Sequence, residues 1–96
     1  MFVAVSFDEE KRDIDIIDID ESIYENIDEY LNKFFNWMFD KKNKHRYWRK
    51  TNSGMMYCNY RASAFIEWLR DYGFDENAIL VKEGADSTYG YPMIEF

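Results

Sequence analysis

The chain has 96 residues, of which 47% are apolar and 32% are charged, a balance that fits a folded globule and excludes a disordered tail. A chain of this length has room for one hydrophobic core, so we expect residues 1–96 to form a single α+β domain. Acidic residues number 19 and basic residues 12, and the net charge of −7 excludes a surface that is basic throughout.

The N-terminal part of the sequence predicts an antiparallel β-hairpin. Residues 2–7 alternate in character and are rich in the β-branched and aromatic residues that suit a strand. A polar turn follows, and residues 14–19 are predicted to form the second strand. The doublet Ile16-Ile17 breaks the alternation, so Asp18 stays on the side of Asp15 only if a bulge or twist absorbs one residue. We predict such an irregularity.

A first helix is predicted to begin at Ser22, because Ser22-Ile-Tyr-Glu25 has the form of a capping box that satisfies two free amides. The apolar stripe of this helix widens toward Phe35, Trp37 and Phe39. We expect that end to lie under the sheet and against a second helix, and a partner-binding end is the alternative. The stripe consists of Ile23, Ile27, Tyr30, Leu31, Phe34 and Met38.

A second helix is predicted after Asn59, which is a plausible N-cap. It should end at Gly73, because glycine readily adopts the left-handed conformation that closes many helices, with Phe74 folding back onto Leu69. The apolar face of this helix consists of Ala62, Phe65, Ile66, Leu69 and Tyr72.

The remaining strands are short. Residues 41–53 are predicted to form a loop or a short strand, and residues 55–57 a brief strand. Residues 78–82 and 91–96 are predicted to form a C-terminal hairpin around a Gly-rich loop. The order of elements predicts an α+β fold, in which an antiparallel β-sheet with N-terminal and C-terminal hairpins carries two α-helices packed on one face.

Acidic side chains are concentrated near the N-terminus. Residues 8–29 hold eleven carboxylates against Lys11 and Arg12. Such a surface would attract the basic surface of a protein, for example one that itself binds nucleic acid. The alternative is a solvated face whose charge blocks edge-to-edge pairing of strands. The predicted partner-binding acidic face consists of Asp13, Asp15, Asp18, Asp20, Glu25 and Asp28.

A basic segment, residues 41–50, contains half of all Lys and Arg residues of the chain. Its cations could neutralise phosphates while its aromatic rings stack on unpaired bases, so it is an alternative nucleic-acid or partner contact. It could equally pair with the acidic face of the same molecule or of a second copy in a homodimer. Its contact residues would be Lys41, Lys42, Lys44, Arg46, Tyr47, Trp48, Arg49 and Lys50.

No pattern in the sequence predicts catalysis or a cofactor. The acids between Asp13 and Glu21 lack the spacing and the turn glycine of an EF-hand, so no metal is expected. His45 is the only histidine, and a cysteine such as Cys58, placed just before an apolar helix face, is more often a small buried hydrophobe than a nucleophile.

The sequence also lacks features of exported or membrane-spanning proteins. A lone cysteine forms no internal disulfide, and no apolar run approaches the roughly 20 residues of a spanning helix. Residues 1–5 lack the basic start of a signal peptide. We therefore expect a cytoplasmic protein without membrane contact.

Small size, acidity and an aromatic content of 20% favour a binding protein over an enzyme. By analogy, the leading hypothesis is an inhibitor or antagonist of another protein, comparable to anti-CRISPR-like phage inhibitors of nucleic-acid-handling proteins or to toxin-immunity proteins. The alternative is a nucleic-acid-binding regulator that uses the basic segment.

Overall fold

The computed structural model describes residues 1–7 and 13–96 and shows two sheets and three helices within them. The larger sheet has the strand order β5-β2-β1-β6, and β3 and β4 form a separate two-stranded sheet. The α+β prediction is confirmed. The elements are β1 (Phe2–Ser6), β2 (Ile14–Asp18), α1 (Glu21–Glu25), α2 (Ile27–Met38), β3 (Trp48–Lys50), β4 (Met56–Cys58), α3 (Ala62–Asp71), β5 (Ile79–Ala85) and β6 (Met93–Glu95).

The predicted N-terminal hairpin forms, but the predicted C-terminal hairpin is wrong. Strand β5 pairs antiparallel with β2, whereas β6 pairs parallel with β1 at the opposite edge, so the large sheet is mixed. Tyr91 and Met93 pack against a small second cluster of Ala4, Ile14, Ile16 and Ala85. A tight β5–β6 hairpin would place β6 at the other edge and remove this apolar cover.

The pairing of β2 with β5 is irregular around Ile16-Ile17, but the bulge predicted in β2 itself does not occur. The extra residues lie on β5, because Ile14 and Ile16 pair with Ala85 and Lys82. Against β1, strand β2 keeps a regular register that places Asp15 opposite Val5. Since side chains alternate along a regular strand, Asp15 and Asp18 point to opposite faces. The expectation that they share one face is wrong.

The main core is a cluster of aromatic rings centred on Phe34. The ring of this fully buried residue lies 5.3 Å from that of Phe65, 5.6 Å from Trp68 and 6.0 Å from Phe96, measured between centroids. Side chains of β1, β2 and β6 belong to the same buried cluster as those of α2 and α3. Most of the large aromatic content of the chain therefore serves this core.

Both predicted helix starts are displaced by two residues. Asp20 caps α1 by accepting a hydrogen bond of 2.9 Å from the Ser22 amide, because Asp20 is the last extended residue and Ser22 already lies in the helix. The N-cap of α3 is Arg61 and not Asn59, whose amide instead donates to the Tyr47 carbonyl beside β3. The first helix is also broken at Asn26, which separates α1 from α2.

The predicted end of α3 is confirmed. Gly73 has a φ of 73°, and its amide donates to the Arg70 carbonyl, while the Phe74 amide donates to the Leu69 carbonyl at 2.9 Å. This pair of bonds is the Schellman arrangement, which requires a residue with positive φ and therefore favours glycine. The ring of Phe74 then packs 5.0 Å from that of Trp68.

The longest of the helices in residues 1–7 and 13–96 is α2, with 12 residues, and no helix there has the length and apolar character needed to span a bilayer.

Truncation of Leu69 tests the packing of α3 against the core. Leu69 is fully buried, so Leu69→Ala should lower the free energy of unfolding by roughly 2–5 kcal/mol through lost burial and a residual cavity. Urea denaturation measures this loss. Arg70→Ala, on an exposed position of the same helix, is the matched control and should change stability by less than about 0.5 kcal/mol. Equal effects of the two substitutions would contradict this packing.

Candidate functional site

The acidic face predicted from the sequence is largely occupied by contacts within the molecule. The carboxylate of Asp15 has 0% exposure, and the Nη2 of Arg61 donates to it at 2.6 Å. The amide of Gly84 donates to the same carboxylate oxygen at 3.1 Å. Arg61 also donates to Asp13 at 2.7 Å and lies 2.9 Å from the carboxylate of Glu83. One guanidinium thus binds three carboxylates, of which Asp15 and Glu83 lie on strands of the large sheet and Asp13 lies just before β2.

This network changes the ionisation of its members. The hydrogen bond from Arg61 lowers the pKa of Asp13 below its ordinary value. The hydrogen bonds to Asp13 and Asp15 raise the pKa of Arg61. The guanidinium also lies 4.8 Å from the ring centroid of Phe7, a cation–π contact. Arg61 is therefore fixed as a cation at the start of α3.

Two further members of the predicted face have local partners. The carboxylate of Asp18 accepts a hydrogen bond of 2.8 Å from the amino group of Met1. Asp20 caps α1, and its hydrogen bonds from Ser22 lower its pKa. Glu25 and Asp28, in contrast, are exposed on α1 and α2.

The six residues therefore do not form one free acidic surface. The expectation that Asp15 is an exposed, unpaired aspartate is wrong, because regular pairing with β1 turns its side chain into the interior. Reversal of Asp15 to Lys should disrupt folding, since it would place a buried cation beside the guanidinium of Arg61.

Removal of Arg61 tests the ion pair. Arg61→Met leaves the carboxylate of Asp15 buried without its counter-charge and should lower the free energy of unfolding by roughly 3–5 kcal/mol. Adding Asp15→Asn to Arg61→Met removes that charge and should recover part of the loss. Thermal and urea denaturation of both variants, with exposed Arg70→Met as control, measure the effect. An Arg61→Met protein as stable as the control would contradict the role of the pair.

The basic segment is anchored to the C-terminal end of α2, where backbone carbonyls lack helical partners. The side-chain amide of Asn43 donates to the Trp37 carbonyl at 2.8 Å. The Nε2 of His45 lies 2.7 Å from the Met38 carbonyl, and the thiol of Cys58 lies 3.4 Å from the same oxygen. These side chains satisfy the helix end and hold the basic segment beside β4.

His45 uses both ring nitrogens. Its Nδ1 accepts a hydrogen bond of 3.2 Å from the Tyr47 amide, which fits the tautomer with the proton on Nε2. The imidazole stacks on Trp48 with ring centroids 5.4 Å apart and planes 4° apart, and it lies 4.8 Å from Trp37. The indole Nε1 of Trp48 donates to the Asn43 carbonyl at 2.8 Å. The rings of His45 and Trp48 are therefore held in place by hydrogen bonds as well as by packing.

A second anchor joins the basic segment to α3. The Nη2 of Arg46 lies 2.6 Å from both carboxylate oxygens of Glu67, and the hydroxyl of Tyr47 donates to the same carboxylate. Although burial opposes it, the hydrogen bonds from Tyr47 and Arg46 lower the pKa of Glu67. Arg46 and Tyr47, both predicted as contact residues, therefore have a structural role.

The other cations of the basic segment remain exposed. Within residues 1–7 and 13–96, no carboxylate lies within 4 Å of the ammonium groups of Lys41, Lys42, Lys44 or Lys50. Arg49 donates only to backbone carbonyls, among them that of Arg46 at 2.7 Å. These groups are free to bind a partner.

Strands β3 and β4 form a hairpin, residues 48–58, which begins within the basic segment. Its apolar side chains after Lys50 were not predicted to belong to a site. Met55 is 70% exposed and Tyr57 is 48% exposed, and Met56 is similarly exposed. Tyr57 pairs across the strands with Arg49, so a ring and a cation share one face of the hairpin. In the sequence, the consecutive apolar residues Met55, Met56 and Tyr57 were the one signal from which this exposed apolar surface could have been predicted.

A pocket of about 330 Å³ lies at the base of this hairpin. Trp48 and Met56 line it from the hairpin, because they belong to the same face of β3 and β4. The loop before β3 contributes Lys41, Asn43, Lys44 and His45.

His45 and Cys58 come together in space, which the sequence could not show, but not in a catalytic arrangement. Both side chains bond to the Met38 carbonyl, and burial raises the pKa of the Cys58 thiol, which disfavours the thiolate. In the part of the chain that the structure describes, no group of three His, Cys, Asp or Glu side chains is arranged to hold a metal ion.

The chain matches no protein family, no curated protein and no solved structure. Its function has to be inferred from its own surfaces.

The anchor at Tyr47 generates a prediction about pH. Burial and the hydrogen bond to Glu67 raise the pKa of Tyr47 to about 12 from 10.0. Because folding favours the neutral phenol, its contribution to stability is complete below the unfolded pKa of 10.0 and is lost as the pH rises through about 12. The excess stability of the wild type over Tyr47→Phe should therefore shrink across this window.

Urea denaturation between these two pH values measures that difference. Tyr57→Phe is the matched control, because Tyr57 is exposed and has no hydrogen bond from its hydroxyl in the described residues. A difference for Tyr47→Phe that is constant with pH would show that folding does not raise the pKa of this phenol.

Proposed function

We propose that the chain is a small antagonist of another protein and that it docks through the exposed hairpin β3–β4 and the free cations beside it. The observation that carries this proposal is the cluster of exposed apolar side chains on the hairpin. Met55, Met56 and Tyr57 are each about half exposed or more, with Tyr57 on the face of the hairpin that carries Arg49 and Met56 on the face that carries Trp48. Contiguous exposed apolar surface rimmed by polar groups is typical of protein interaction sites.

The charges around the hairpin define the partner. Lys41, Lys42, Lys44 and Lys50 have no carboxylate within 4 Å among the described residues. Lys41 and Lys44 line a pocket together with Met56, and Lys50 pairs with Met56 across the hairpin. The complementary surface is an apolar cleft with an acidic rim, because apolar burial supplies affinity and opposite charges steer the encounter. The acidic remainder of a molecule with net charge −7 would be repelled by the same rim, which orients the approach.

The anchoring of the hairpin supports docking as a preformed element. The hydrogen bonds of His45 and Cys58 to the Met38 carbonyl, and of Arg46 to Glu67, fix its base to two helices. A contact element that is ordered before binding loses less conformational entropy in the complex.

Docking of a partner protein through the predicted acidic face is less well supported than docking through the hairpin. Glu25 and Asp28 are exposed and could meet a basic partner. Asp13, Asp15 and Asp18 already have cationic partners within the molecule, so each has less to gain from a second cation.

A second candidate, direct contact of the basic segment with nucleic acid, is favoured by one specific observation. Trp48 is stacked on His45 beside exposed lysines, and an aromatic ring next to cations is the combination that binds unpaired nucleotides.

Substitution of the hairpin tip tests the leading proposal. Met55→Ser with Tyr57→Ser, the tip variant, removes two exposed apolar groups and should leave stability nearly unchanged while it abolishes partner capture. The matched control replaces two residues of the predicted acidic face, Glu25→Lys with Asp28→Lys, and is called the acidic variant; it should still capture the partner. The wild type and both variants are immobilised and exposed to a cell lysate, and the captured proteins are compared by mass spectrometry.

The proposal requires that the same protein is captured by the wild type and by the acidic variant but not by the tip variant. Its binding should also weaken as the salt concentration rises, since exposed charges are screened within about 8–10 Å. Loss with the acidic variant and retention with the tip variant would assign docking to the acidic face. Capture of nucleic acid alone would favour the second candidate.

A further inference from the structure

The pocket at the base of the hairpin has a rigid aromatic wall. Trp48 is held by its hydrogen bond to the Asn43 carbonyl and by its stack on His45. His45 is held in turn by the Met38 carbonyl and the Tyr47 amide. The wall therefore needs no rearrangement to receive a ligand, which lowers the entropic cost of binding.

The remaining walls differ in chemistry. Met56 contributes a flexible apolar side chain from the same face of the hairpin as Trp48, and thioethers pack well against aromatic rings. Lys41 and Lys44 also line the pocket, and neither ammonium group has a carboxylate within 4 Å among residues 1–7 and 13–96. A mainly apolar pocket whose lining includes two lysines without counter-charges matches a flat ring that carries an anionic group.

The volume limits the size of that ligand. At about 330 Å³ the pocket lies at the lower end of the range of roughly 300–1,000 Å³ for small-molecule sites. One ring system with one short charged substituent fits this space, and a folded duplex does not.

We propose that this pocket binds one nucleoside monophosphate unit. The base packs between Trp48 and Met56, and the phosphate lies at the ammonium groups of Lys41 and Lys44. The unit is either a free nucleotide or the phosphorylated end of a single strand. The pocket shares Met56, Lys41 and Lys44 with the proposed docking surface, but the tip residues Met55 and Tyr57 do not line it, so the two proposals can be tested separately.

The test uses adenosine monophosphate, adenosine, inorganic phosphate, and one tetranucleotide with and without a 5′-phosphate. Binding is measured by calorimetry, and the indole Nε1–H resonance of Trp48 in a nitrogen-15 spectrum reports the site. Adenosine monophosphate should shift this resonance. Adenosine and phosphate alone should each bind at least roughly tenfold more weakly, since each makes only part of the contacts.

Matched lysine variants test the assignment. Lys41→Gln with Lys44→Gln should weaken binding of adenosine monophosphate by roughly tenfold or more, because two charge-assisted contacts are lost. Lys42→Gln with Lys50→Gln removes the same charge from exposed positions outside the pocket lining and should have little effect. The tip variant should bind the nucleotide as the wild type does, so the docking proposal and this one can fail separately.

The proposal is overturned if neither adenosine monophosphate nor the phosphorylated strand shifts the Trp48 resonance at millimolar concentration, or if the two lysine pairs have equal effects. Tighter binding of the phosphorylated strand than of the free nucleotide supports a strand end as the source. Equal binding of the two supports a free nucleotide.

Discussion

The buried carboxylate of Asp15 is the constraint on which the arrangement of this molecule depends. Regular pairing of β2 with β1 turns Asp15 into the interior, where a lone charge would be strongly unfavourable. Arg61 supplies the counter-charge from the first residue before α3, and the Gly84 amide supplies a further hydrogen bond from β5. One carboxylate thereby ties together two strands and the start of a helix, and the irregular pairing of β5 brings Gly84 within reach of it.

This ion pair also decides how the charge of the chain is distributed. A sequence with net charge −7 suggests an acidic contact surface, yet Asp13 and Asp15 are committed to Arg61 and Asp18 to the amino group of Met1. The lysines of the basic segment have no such partners among the described residues. Because a charge that is already paired gains little from a second partner, the lysines of the basic segment are available for binding, whereas among the acidic side chains of the predicted face only Glu25 and Asp28 are exposed without a hydrogen-bonded or cationic partner in the described residues.

Sequence reasoning succeeded where the determinants are local. The end of α3 was predictable because Gly73 alone provides the positive φ that the motif needs, and the doublet Ile16-Ile17 indicated an irregular strand pair. Sequence reasoning failed where the structure depends on contacts between segments that are distant in the chain. Nothing in Met93–Glu95 shows that β6 pairs with β1, and the role of Arg61 follows only once the face of Asp15 is known. The polar turn at residues 8–12 lies outside the described residues.

The candidate site was only partly predictable for a related reason. Its basic and aromatic residues were visible in the sequence, but the helix end that holds them was not. The Met38 carbonyl accepts from both His45 and Cys58, so two residues that suggest catalysis serve instead to position the hairpin. That placement stacks His45 on Trp48 and leaves Lys41 and Lys44 beside an open pocket. The basic segment alone has the composition of a loop. Because its residues bond to a terminal carbonyl of α2, the segment is ordered before a ligand binds.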